Sequence, residues 1–424
     1  MEGKLNRTNH IGFISTRLSG TDGVSLEVVK WVNVLSGMGH ECFYFAGESE
    51  WPDERSYLVS EAHFQHPDIA KINRELVDQY VRKSDITLEV EKLQDLLKDH
   101  LHRFVNQFEL DVLIVENALS LPMNIPLGLA LTQFIAETEI PIIAHHHDFH
   151  WERSRYVVTA ADDYLQTAFP PTLRTIHHIV INSYAGRQLA LRTGVSSILI
   201  PNVMNFDEQP PKPDEYADDM RSELGIPEDD FLLIQPTRIV PRKRIEKAIE
   251  LTRRIELDCS LVITHESGDE GHLYETYLRD FSEIVRGKVH FASDRFSLNR
   301  SRTKDGKKIY SLADAYQNAN LVTYPSTIEG FGNALLEAIY YKSPIVMNNY
   351  EIFKTDILPK GFKIIGFNDF IDPKCIEDSY EILTNREKAA EMVEYNFNVA
   401  KKHYSYHILE NRLVALLDEC MGLE

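Results

Sequence analysis

Short, continuously apolar segments alternate with helical stretches along this chain, stop once, and then start again. Residues 10–15 read as a buried strand, and residues 25–38 as a helix whose apolar stripe is Val28, Val29, Val32 and Leu35. Gly39 ends that helix and residues 41–45 form the next strand. Further strands are predicted at 111–115, 141–145 and 179–182, with a long polar helix near 85–107. Strands of this kind, each followed by a helix, predict a parallel sheet covered on both faces. Residues 207–230 break the rhythm with Pro210, Pro211, Pro213 and ten acidic side chains, a linker composition. The alternation resumes at 231–235 and continues through 260–264, 288–291, 321–324 and 345–347. Two doubly wound α/β halves are therefore expected, residues 1–206 and 231–385, with a ligand cleft between them beyond the carboxyl ends of the strands. Residues 386–424 read as terminal helices that cross back to the first half, with a break at Tyr404-Ser405-Tyr406.

Charge narrows the partners. The 424 residues carry a net charge of −20, and the excess is shared: 17 basic against 26 acidic side chains in residues 1–205, and 28 against 39 in 206–424. A dedicated nucleic-acid binder needs clustered Lys and Arg, so nucleic acid is excluded as the expected partner. Association with anionic membranes is disfavoured for the same reason. The four cysteines form no C-x-x-C pair, and no apolar leader or stretch of about 20 apolar residues occurs, so a cytoplasmic protein is expected.

Two loops carry chemistry. In 326–338 (STIEGFGNALLEA) a strand ends, a glycine-punctuated turn follows, and a helix begins near Asn333. Amide N–H groups at such a helix start can bind an anion or a hydroxyl. Glu329 and Glu337, eight residues apart, can address different parts of one ligand; the alternative is two solvated carboxylates at either end of an ordinary strand–loop–helix. In 237–244 (TRIVPRKR) basic groups follow directly on a strand, where Arg supplies a planar fork and Lys a point charge for a diphosphate. The alternative there is a surface turn paired with Glu246 and Glu250.

Taken together, Arg238-(x)4-Lys243, Glu329-(x)7-Glu337, Pro201-Asn202-Val203, Ser343-Pro344-Ile345-Val346 and the N-terminal glycine loop resemble the retaining glycosyltransferases of family 4, over essentially the whole chain. The resemblance implies the GT-B fold, two Rossmann-like doubly wound domains facing each other across a cleft. It implies that Arg238 and Lys243 hold the donor's diphosphate and stabilise the charge that builds on it. Glu329 would bind hydroxyls of the transferred sugar beside the amides of Phe331, Gly332 and Asn333, and Glu337 the ribose. A nucleoside-diphosphate sugar, GDP-mannose or UDP-glucose, is the implied co-substrate, with no further cofactor. Side chains at 267–274 and Phe291 would suit uracil or guanine equally.

The run 144–153 (AHHHDFHWER) admits three readings. His145 and His147 share a strand face and could bind a metal with Asp148; they could simply pack; or, as the resemblance implies, His147 or its neighbour His145 touches the transferred sugar, with no metal bound. Trp151 offers a face for a sugar ring, and Arg153 and Arg155 offer forks for an anionic group. A small, polar, anionic acceptor is therefore expected, unless Trp151 is core and the arginines pair with Glu152 and Asp162. In the loop 20–24 (GTDGV), Gly23 permits close approach to a diphosphate and Asp22 could take an acceptor hydroxyl. The loop is not G-x-G-x-x-G, which argues against a dehydrogenase. With HDF-x-WER it resembles synthases that glycosylate glucosylglycerate-type solutes. Residues 295–308, six of them basic, read as a flexible surface insertion, with a donor lid or an oligomer contact as alternatives. A glycoside phosphorylase on the same fold and a non-catalytic sugar-nucleotide sensor are the competing functions; a homo-oligomer is compatible with either.

Overall fold

A strand buried on both faces reads as a near-continuous apolar run, and Val112–Glu116 and Ile142–His146 are buried throughout, apolar until Glu116 and the His145-His146 pair at their carboxyl ends. The computed structural model describes residues 8–20, 22–267 and 272–422. Thr21 and part of the expected base-contacting stretch, residues 268–271, lie outside them. The chain divides into two units, residues 1–202 with 406–424, and residues 203–405. The terminal block thus splits at Ser405. The Arg386–Tyr404 helix stays with the second unit and the Tyr406–Cys420 helix packs with the first.

In the first unit, β1 (His10–Ile14), β2 (Glu41–Ala46), β3 (Ser56–Leu58), β4 (Val112–Glu116), β5 (Ile142–His146), β6 (Ile176–Val180) and β7 (Ile198–Leu199) form one sheet in the order β3-β2-β1-β4-β5-β6-β7. Every pairing is parallel. The order reverses between β1 and β4, which is where such sheets bind ligands. The Gly23–Gly37 helix follows β1, and Gly39, at φ +89°, turns the chain into β2 as its sequence position predicts. Gly12 is required by packing: a Cβ there would lie 2.6 Å from Leu110 and 2.9 Å from Phe104. One expected strand shifts. Ile181 and Asn182 leave the sheet because the Asn182 side chain accepts the Ala185 N–H at 2.7 Å and caps the Ser183–Thr193 helix, so β6 ends at Val180.

In the second unit, β8 (Phe231–Gln235), β9 (Cys259–Ile263), β10 (Val289–Phe291), β14 (Leu321–Tyr324), β15 (Ile345–Asn348) and β16 (Ile365–Phe367) form a parallel sheet ordered β10-β9-β8-β14-β15-β16. Its order reverses between β8 and β14. The basic insertion is not a loose loop: β11 (Phe296–Ser297), β12 (Ser301–Arg302) and β13 (Lys308–Ser311) make a small separate sheet. The acidic linker anchors it. Arg300 meets Asp214 at 2.6 Å, Lys308 meets Asp219 at 2.8 Å and Arg295 meets Glu223 at 3.1 Å, while the Tyr216 hydroxyl donates to the Ser301 and Ile309 carbonyls. Two oddities of composition, one basic and one acidic, are thus halves of one contact. Among the described residues no helix is long and apolar enough to cross a membrane.

Candidate functional site

The reversal in the second sheet places two loops side by side, 236–244 after β8 and 325–332 after β14. The Thr327 N–H donates to the Arg242 carbonyl at 3.0 Å and ties them together. Lys243 closes a short 3-10 turn, Pro241–Lys243, and is buried; its Nζ donates to Glu329 Oε1. Arg242, which the sequence reading passed over, reaches Glu329 Oε2 at 3.4 Å and donates to the Ile328 carbonyl. Arg238 is exposed, and among the described residues its side chain has no ion pair or hydrogen bond. Burial raises the Glu329 carboxyl, but Lys243 and Arg242 more than offset this and hold it below its ordinary value. Two cations therefore hold one carboxylate, and Arg238 stands in the same loop without a partner among the described residues. His265, just past β9, is held neutral by burial and then by Lys243 and Arg238, with a pKa of about 4.

The turn ahead of the Asn333–Tyr340 helix is tightly determined. Gly332 sits at φ +121°, and a Cβ on it would lie 2.3 Å from the Tyr350 hydroxyl. That hydroxyl donates to the Phe331 carbonyl at 2.6 Å, and the Phe331 ring is buried edge-on to Tyr404. The Phe331 ring is therefore committed to packing. Asn333 is the first helical residue, and Glu337, one turn on, accepts from the Tyr316 hydroxyl at 2.7 Å.

In the first unit the reversal lies beside the ends of β4 and β5. Register pairs Glu116 with His145, so the strand-end acid stands next to the histidine run. Glu116 is 1 % exposed. Its Oε2 lies 2.9 Å from His147 Nε2 and 3.0 Å from His145 Nδ1. The sequence reading named Asp148 as third member of this group, but Asp148 is turned to the Asn117 amide at 3.0 Å and to Arg153. Glu116 takes that place, and its donor atom lies within 4.8 Å of those of His145 and His147, a set that could also surround a cation. The signal in the sequence was an acid ending an otherwise apolar strand, VLIVE. Burial opposes charge on all three groups. For Glu116 the two imidazoles outweigh it and hold the carboxyl at about 2; His147 is raised by Glu116, whereas burial wins at His145 and lowers it.

Other expected residues stand as follows. Asp22 caps the Gly23–Gly37 helix, accepting from the Val24 and Ser25 N–H groups, and pairs with Arg17 at 3.0 Å, while Gly23 opens that helix. Trp151 is half-buried on Phe149, ring centroids 4.4 Å apart, and the Arg192 guanidinium lies 5.2 Å from its ring centroid. Arg153 pairs with Asp148, and not with Glu152 or Asp162. Arg155 lies over the Tyr156 ring and is exposed.

Two parallel doubly wound units of this kind make the GT-B fold, and solved structures of glycosyltransferases share it. The chain matches a glycosyltransferase from Rickettsia africae with TM-score 0.70 at 10% identity, covering 99% of this chain and 100% of that one. It matches Anabaena HepE in complex with UDP and glucose with TM-score 0.62 at 14% identity, covering 97% and 99%. No protein-family model matches. Two relatives are closer in sequence. A mannosylglucosylglycerate synthase of Thermotoga maritima is 33% identical over 95% of this chain and 98% of its own, and one of Petrotoga mobilis is 30% identical over 96% of each. The chain belongs to the mannosylglucosylglycerate synthase family, and the expected likeness to family-4 glycosyltransferases and solute synthases is borne out.

Proposed function

We propose that this glycosyltransferase moves a hexose, with retention of anomeric configuration, from a nucleoside-diphosphate sugar to a glucosylglycerate-type acceptor. The observation that carries the proposal is the excess of cations at the β8–β14 reversal, where Lys243 and Arg242 are partly neutralised by Glu329 and Arg238 is left over. A diphosphate brings the missing negative charge. Arg238 and Lys243 bind it and stabilise the charge that grows on the leaving group as the glycosidic bond breaks. Glu329 and His147 take hydroxyls of the transferred sugar, the amides of 331–333 assist, and Glu337 holds the ribose. GDP-mannose is the first donor to test, because the relatives' name ends in a mannosylated product; UDP-glucose is second, because HepE was crystallised with UDP and glucose. The acceptor's carboxylate is assigned to Arg153 and Arg155, with Trp151 against its sugar ring and Asp22 near a hydroxyl. The protein works in the cytoplasm.

A matrix of GDP-mannose, UDP-glucose and ADP-glucose against glucosylglycerate, glycerate and lipid acceptors tests this, with proton NMR of the product reading its anomeric configuration. Transfer to glucosylglycerate with an α product from an α donor is expected. Inversion, lipid-only activity, or phosphorolysis of a disaccharide without nucleotide would overturn the proposal.

A further inference from the structure

We propose that Glu116 is a positioning residue for His147: its carboxylate keeps a proton on Nε2 and so leaves Nδ1 as the atom offered to the ligand. The inference rests on His147 being a sugar contact. An ionised carboxylate only accepts hydrogen bonds, so each imidazole nitrogen facing it must carry a proton. These are His147 Nε2, at 2.9 Å, and His145 Nδ1, at 3.0 Å. His145 Nε2 is then an unprotonated nitrogen; it is buried and has no partner among the described residues. His147 Nδ1 has no partner among the described residues either, but it is not sealed off.

The surroundings hold both rings still. Trp31 stacks on His145 with centroids 4.3 Å apart, and the His145 and His147 rings are also 4.3 Å apart. The His147 backbone N–H donates to Asn117 Oδ1 at 2.8 Å, and Asn117 is itself fixed by Ser120 and Asp148. Glu27, fully buried one turn before Trp31 and paired with Lys30 at 2.8 Å, also favours the proton on His147. Glu116 is enclosed, so it does not meet a sugar itself. A buried carboxylate is costly to desolvate, and here its whole output goes to the two histidines. Which nitrogen of a histidine carries the proton decides whether the other accepts or donates, and that is what Glu116 determines.

The test begins with the unmodified protein, so that it does not depend on the sugar-transfer reading. Protein labelled with 15N-histidine is examined by NMR at alkaline pH, where imidazoles are neutral, and the His147 signals are assigned by their loss in His147→Asn. A protonated Nε2 and an unprotonated Nδ1 are expected. In Glu116→Gln the preference should fade, and kcat should fall on the order of 10- to 100-fold, with donor KM changed less than about threefold. The opposite tautomer in the wild type would overturn the inference. So would a folded Glu116→Gln that keeps at least half its kcat, or activity that is lost to a chelator and restored by a divalent cation, since Glu116 would then be a metal ligand. If the wild type transfers no sugar, the functional proposal fails while the NMR result still decides this one.

Discussion

The two units solve the same architectural problem with opposite electrostatics. Each is a parallel sheet whose order reverses once, and each places a carboxylate at the end of a strand or in the loop beyond it. In the first unit Glu116 is enclosed and matched by imidazoles, so the group is closer to charge-balanced and suits hydroxyls. In the second, Glu329 faces Lys243 and Arg242, with Arg238 unpaired, so positive charge is left over and suits a diphosphate. Strand order places the two groups at the sheet reversals; the charges gathered at each reversal set its electrostatics.

Removing the excess positive charge should break this contrast most strongly. Lys243→Ala is expected to reduce transfer by about 10²–10³-fold, the loss typical of a preorganised charge stabiliser. It should also lower the melting temperature, because Glu329 loses its nearer cation and keeps only the longer Arg242 contact, at a cost of about 1–3 kcal/mol. Activity assays and thermal melts on the same preparation check both. Arg238→Ala separates binding from folding: a donor KM raised by about tenfold or more is expected with an unchanged melting temperature, since this side chain has no partner to lose. An equal fall in stability would mean that Arg238 is structural. Gly332→Ala should cost about 2–3 kcal/mol, because it forces a side chain into φ +121° and against the Tyr350 hydroxyl. Denaturant titration reads this, and Tyr350→Phe should recover part of the loss by removing the obstructing oxygen.

The smallest effect concerns pH and belongs to the first unit. The Glu116 carboxyl is held at about 2 when folded against 4.5 ordinarily. Its stabilisation is therefore complete above 4.5 and is lost as pH falls towards 2. His145, lowered by burial, resists protonation and adds to the same acid sensitivity below 6.5. His147, raised, contributes in the other direction: its share is full below 6.5 and fades as pH rises through its folded value. Melts from pH 5 to pH 3 should show a shallower decline for Glu116→Gln than for the wild type; parallel curves would contradict the assignment.

Much of the framework was legible in the chain alone. The strands at 231–235 and 321–324, and the helix break at Ser405, match residue for residue, because continuous apolar runs and chain breaks report local chemistry. Strand β6 was misplaced because Asn182 spends its side chain on a helix cap that a hydrophobic pattern does not register. Lys243 and Glu329 were named from spacing, but that they pair with each other, and that Arg242 joins them, was not visible at a separation of 86 residues.

By itself, then, the sequence determined the two alternating halves, the break between them and the kinds of side chain at the strand ends, since these follow from periodicity and composition. Only the tertiary structure decided which groups share their charge: Glu116 with His145 and His147, Arg295, Arg300 and Lys308 with the acidic linker, and Lys243 and Arg242 with Glu329. The reason is physical. Sheet register and strand order bring distant residues within hydrogen-bond reach, and at that range burial and partner, more than residue type, set the charge each group carries.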